Sequence, residues 1–252
     1  MNSHRTFLGL SVLLFTASTA GTIVWCESMS GMGGMPMPGG WTMSMAWMRM
    51  PGQTWAGMAA SFLGMWVLMM VAMMLPSLVP MLWRYREAVG GAGESRLGLP
   101  TVLVGAGYFL VWTLFGAAAF PLGVAAAELT MRQPAVAGRV PLAVGAAVLL
   151  AGAFQLTPWK ARQLACCRDA SAHAGPAWRQ GLILGVRCVR CCGGLMALLL
   201  VLGVMDLRAM AVVTAAVTVE RLTPEGELAA RVLGVVGIAA GLALIARAAS
   251  IG

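Results

Sequence analysis

Apolar residues run along this chain in long blocks, and the polar positions fall between the blocks rather than alternating within them. Most blocks approach the roughly 20 residues that an α-helix needs to cross about 30 Å of hydrocarbon. Seven spans are predicted, over residues 6–23, 57–81, 99–126, 140–155, 182–204, 207–219 and 229–245. The sixth is short, so it is tilted, pairs tightly with the fifth, or extends into Arg221 and Leu222; six spans are the alternative count. The expected fold is all-α, a polytopic transmembrane helical bundle. It divides into an N-terminal transmembrane anchor (1–26), a Met/Gly/Pro-rich extracytoplasmic loop (27–56) and the bundle proper (57–252).

The first block begins like a secretory signal, with Arg5 before an apolar middle. Trp25 stands where cleavage calls for small residues, so a retained anchor is expected; cleavage would leave six spans with both ends outside.

Composition supports the membrane reading. The chain has 252 residues, 60% of them hydrophobic and only 10% charged, whereas soluble domains carry about 25% charged residues. A formal net charge of +8 would suggest nucleic acid in a soluble protein. Here the basic residues sit in short connections, where topology signalling and anionic lipid explain them, and no partnership with nucleic acid is expected. Lys and Arg divide 12 to 5 between the two sides of the predicted bundle, which places the N-terminus in the cytoplasm and the C-terminus outside.

Sulfur is the unusual element. In the second predicted span Met65, Met69 and Met73 recur every four residues, with Met70 and Met74 beside them and Pro76 and Pro80 interrupting the end. Such a stripe is either apolar filler or a ladder of soft thioether donors suited to Cu(I). The connection over 27–54 holds eight more methionines (Met29, Met32, Met35, Met37, Met43, Met45, Met48 and Met50) among glycines and prolines. That composition predicts a mobile exposed loop whose methionines bury nothing, either a metal-collecting segment or compositional drift.

Cys188, Cys191 and Cys192 lie three and four residues apart, so on a helix they crowd one side. They form either a soft-metal site, a redox pair, or small residues that let helices approach beside Gly193 and Gly194. Arg187 and Arg190 flank the motif and would favour the thiolate form. Further ligands must come from another segment; Cys166, Cys167 and His173 in the preceding basic connection are the candidates. These five cysteines are expected to be reduced on the cytoplasmic side, and Cys26 to be free at the far end of the first span.

Carboxylates are scarce within the apolar blocks, and Glu220 is the one singled out, as a metal ligand or as partner to Arg190 or Arg221. No phosphate loop, Gly-x-Gly-x-x-Gly or Gly-x-Ser-x-Gly pattern occurs, and two histidines are too few for a histidine-built oxygenase site.

An ordered set of motifs resembles a known family: residues 66–77 with Pro80, the run from Gln155 to Lys160, then 185–210 with its Cys-x-x-Cys-Cys block, and finally Glu220 and Pro224. It is similar to a bacterial family of unknown function whose members are labelled metal-binding integral membrane proteins. Gly193 stands where that family usually has an aromatic residue, and Asp206 where it has Asn. The resemblance implies a multi-pass protein of the bacterial inner membrane that binds metal. The expected function is soft-metal handling, delivery or transport, with copper(I) the favoured ion and zinc the alternative. A thiol–disulfide oxidoreductase and a structural subunit of a larger complex are the competing classes. The lipid bilayer and the metal ion are the expected partners, with a metalloenzyme or metallochaperone as recipient.

Overall fold

A computed structural model describes residues 2–31, 33–89, 98–168 and 175–251. Its helices are α1 (Asn2–Gly31), α2 (Trp55–Val89), α3 (Gly98–Arg132), the single turn α4 (Pro134–Ala137), α5 (Val140–Gln155), α6 (Pro158–Arg168), α7 (Ala177–Leu202), α8 (Leu207–Leu222) and α9 (Gly226–Ile251). Of the residues named above, Met32 and His173 lie outside the described ones.

The apolar blocks become helices because Leu, Met and Ala dominate them and each helix satisfies its own backbone polar groups. Five described helices are long and apolar enough to cross a membrane, and α5 with α6, bent by 66°, make a sixth if taken as one span. This corrects the expected seven. The chain turns between α5 and α6 because Pro158 opens a new helix and Thr157 caps it, its Oγ1 accepting from the Lys160 amide at 3.2 Å. α8 has 16 residues, about 24 Å of helix at about 1.5 Å per residue, which is short of a hydrocarbon core. It begins at Asp206, whose carboxylate accepts from the amides of Arg208 and Ala209 at 2.8 and 3.2 Å. α7 stops just before, at Gly203, whose φ of 135° is a conformation side chains resist.

α3 lies along α7, and α5 along α9. Gly107 and Gly181 let the first pair touch backbone to backbone: a Cβ at Gly107 would meet the Trp178 carbonyl at 2.5 Å. The outer faces stay apolar, with Leu13 67% and Leu122 72% exposed. Inside, one core joins α2, α3, α6, α7 and α8 with Cys26 of α1, and Trp66 closes it by donating to the Trp112 carbonyl at 2.8 Å.

The segment after the first helix departs most from expectation. α1 continues to Gly31, and the chain then makes a two-stranded hairpin, β1 (Met35–Met37) with β2 (Trp41–Met43), and a short 3-10 turn over Met45–Trp47. Trp41 donates to the Ala137 carbonyl at 2.9 Å, Trp47 packs against Phe62 with ring centres 5.1 Å apart, and Met43 is buried. Two tryptophans therefore fasten a segment whose glycines and prolines had suggested an unpacked linker.

Candidate metal centre

Leu184, Cys188, Cys191, Cys192, Met196 and Leu199 form the buried stripe of α7, spaced as one helix face must be. The cysteine triplet therefore points inward, and each of its three residues is at most 1% exposed. α6 supplies a fourth buried thiol, Cys167, which shares one core with Cys188, Cys191 and Cys192. Among the described residues no three Cys, His, Asp or Glu side chains are spaced to enclose a metal ion.

The charges around the thiols come from α6 and α8. Lys160 Nζ meets Glu220 Oε2 at 2.7 Å with both side chains essentially inaccessible. The ammonium also donates to the Cys191 carbonyl at 2.7 Å, and Gln155 donates to the other Glu220 oxygen. Arg221, the next residue on α8, has no carboxylate partner among the described residues. Its Nη1 donates to Ser77 Oγ at 2.7 Å, to Cys188 Sγ at 3.2 Å and to Tyr108 Oη at 3.3 Å. Its Nη2 reaches Met81 Sδ at 3.0 Å, while Tyr108 donates to Cys188 Sγ at 3.0 Å. A buried guanidinium needs an anion nearby. With Lys160 and Glu220 cancelling each other, a sulfur of this cluster is the group placed to supply that charge.

The other expected site residues divide clearly. Met65, Met69 and Met73 are all buried in the core; the methionine bonded to the Arg221 guanidinium is Met81. Cys166 is exposed and separate from its neighbour's cluster, because adjacent helical positions point about 100° apart. Arg190 is exposed; the guanidinium at the thiols belongs to Arg221, and the partner of Glu220 is Lys160. Asp206, the departure from the family pattern, is engaged as a helix cap. Tyr108, Ser77, Met81 and Arg221 were not singled out as site residues in the sequence. Their only advance signal was polarity or sulfur inside an apolar block.

No curated protein and no solved structure matches the chain. A family model does, over residues 63–244, and it is described as a copper chaperone, PpoB2. That match replaces the family of unknown function suggested by the motifs, and it takes in every helix that contributes to the thiol cluster. The chain belongs to the PpoB2 copper chaperone family.

Proposed function

We propose that this protein is a membrane-embedded copper chaperone that carries Cu(I) on the thiolates of Cys188, Cys191 and Cys192, with Cys167 as an exchange partner. The observation that carries the reading is the buried group of four thiols beside an arginine without a carboxylate. Copper enters as cargo, held long enough to be passed on. Thiolates are soft donors that select Cu(I), and two of them suffice for that ion, whereas structural zinc asks for four ligands in a tetrahedron. Arg221 balances the negative charge that two thiolates leave on a monovalent ion. Lys160 and Glu220 hold α6 and α8 against the cysteine helix, so they position the site.

Met65, Met69 and Met73 then serve as weaker stations between the hairpin end of the bundle and the thiols. Glu220 stays with Lys160 rather than binding metal, and exposed Cys166 remains available to a recipient metalloenzyme or metallochaperone. The bundle crosses the bacterial inner membrane, with residues 27–54 outside and 160–179 in the cytoplasm, because the basic residues divide unequally between the two sides. A membrane-impermeant thiol reagent that labelled a single cysteine placed near Arg168 in whole cells would reverse this orientation.

X-ray absorption on the detergent-solubilised chain loaded with one equivalent of Cu(I) tests the site. The expected first shell is two or three sulfurs; a shell of nitrogen and oxygen would overturn the proposal. Recovery of a disulfide between Cys188 and Cys191 from cells would favour the oxidoreductase alternative.

A further inference from the structure

At the hairpin end of the bundle, α1, α2 and the start of α8 leave a cavity of about 200 Å³. That is below the roughly 300 Å³ at which pockets begin to take drug-sized organic ligands. Its wall is dominated by thioethers from four places in the chain. Met29 comes from α1, Met45, Met48 and Met50 from the fastened hairpin segment, Met58 and Met65 from α2, and Met205 from the turn before α8. Next to it, buried Cys26 of α1 places its Sγ 3.9 Å from Met205 Sδ, across 179 residues of sequence.

We propose that this cavity is a second Cu(I) site, a thioether-rich entry site whose single thiolate is Cys26. Three observations support it. Filler methionine closes gaps, whereas these methionines surround one. A trigonal ion with metal–sulfur bonds of about 2.3 Å puts neighbouring sulfurs about 4 Å apart, close to the Cys26–Met205 separation. The tryptophans of the hairpin segment hold its methionines against the opening, so the site does not depend on ordering a free loop. Cys26 and the hairpin methionines also precede residues 63–244, so the family match says nothing about them.

Binding here is ligand exchange without redox: Cu(I) arrives on an external carrier thiol or as a weak aquo complex and remains Cu(I). Thioethers and one sulfur anion replace those ligands, and the Cys26 proton leaves to water. Met65 opens the buried sulfur row of α2 that ends at Met81 beside Arg221. Met65 and Met81 are 16 positions apart, about 24 Å at about 1.5 Å per residue. Two distinct sites are thus linked by one helix, and a shallow thioether site feeding a deeper thiolate site gives copper a downhill direction. This inference rests on copper as cargo, but its test does not use the thiol cluster.

The experiment uses the full chain in detergent with Cys188, Cys191 and Cys192 replaced by Ser, titrated with Cu(I) against a chromophoric chelator. One equivalent should remain bound with an all-sulfur first shell by X-ray absorption. Adding Cys26→Ser with Met205→Leu should weaken that equivalent by at least about 10-fold, the lower end of what even an outer-shell partner costs. No residual copper in the triple-serine protein, or residual copper that Cys26→Ser and Met205→Leu leave unchanged, overturns the entry site. If the five-fold variant does not fold, Met205→Leu alone in the otherwise unmodified chain gives the same decision: the weaker of two equivalents must fall and the tighter must stay. Failure of the thiol cluster would show differently, as an unmodified chain and triple-serine chain with the same copper content.

Discussion

Replacing Lys160 by Met removes the ammonium paired with Glu220, and its consequence can be worked from the contacts. The pair is separated by 2.7 Å with side chains 1% and 0% exposed, so neither charge has water to fall back on. Removing one member of a buried ion pair costs about 3–5 kcal/mol, mostly because the other charge is left uncompensated. Gln155 still donates to Glu220 after the change, which argues for the lower half of that range. For a chain of this size each 1 kcal/mol moves Tm by about 2–4 °C, so Lys160→Met should lower Tm by about 6–16 °C. Glu220→Leu alone should cost a similar amount, for it strands the ammonium. The double variant Lys160→Met with Glu220→Leu removes both charges and should recover most of the loss, since an apolar replacement of a whole buried pair is often neutral or better. The assay is thermal unfolding in detergent at one fixed scan rate, because membrane bundles seldom unfold reversibly. A loss of less than about 2 °C in both single variants, or a double variant as unstable as the two losses added together, would refute the reasoning.

Three further outcomes follow from other contacts. Arg221→Met removes the positive charge beside Cys188 and should weaken Cu(I) binding at least about 10-fold in a chelator competition, as loss of an outer-shell partner does, whereas Arg190→Met at an exposed position should leave it unchanged. Asp206→Ala should cost about 0.5–2 kcal/mol of thermal stability, the worth of a helix cap, with copper stoichiometry intact; a lost copper equivalent would make Asp206 a ligand. Trp47→Ala frees the hairpin segment from Phe62, so limited proteolysis within residues 33–54 should accelerate while α2, α3 and α7 stay uncut; unchanged cutting within 33–54 would mean that the ring does not fasten it.

The helices were readable because a membrane-length apolar block has few alternatives to a helix. Their number was less readable, since length alone does not show that Thr157 and Pro158 start a new helix inside one apolar stretch. The inward direction of Cys188, Cys191 and Cys192 followed from helical spacing. The identity of their neighbours did not. Arg221 reaches Cys188 across 33 residues and Lys160 reaches Glu220 across 60, pairings that depend on how α6, α7 and α8 come together. Glu220 closes an apolar block in the sequence, yet its helix end is folded into the core, where its partner is Lys160. The hairpin segment was misjudged for a specific reason: counting Met, Gly and Pro hid Trp41 and Trp47, the two residues able to fasten it to α3, α4 and the start of α2.

The central claim is that the cysteine triplet of α7 holds the tight copper. Chelator competition with the full chain and with its Cys188, Cys191 and Cys192 triple-serine variant measures this most directly. The account predicts that the parent's tightest Cu(I) equivalent disappears in the variant while zinc never competes for it at equal concentration. A variant that keeps that equivalent with unchanged affinity would contradict it.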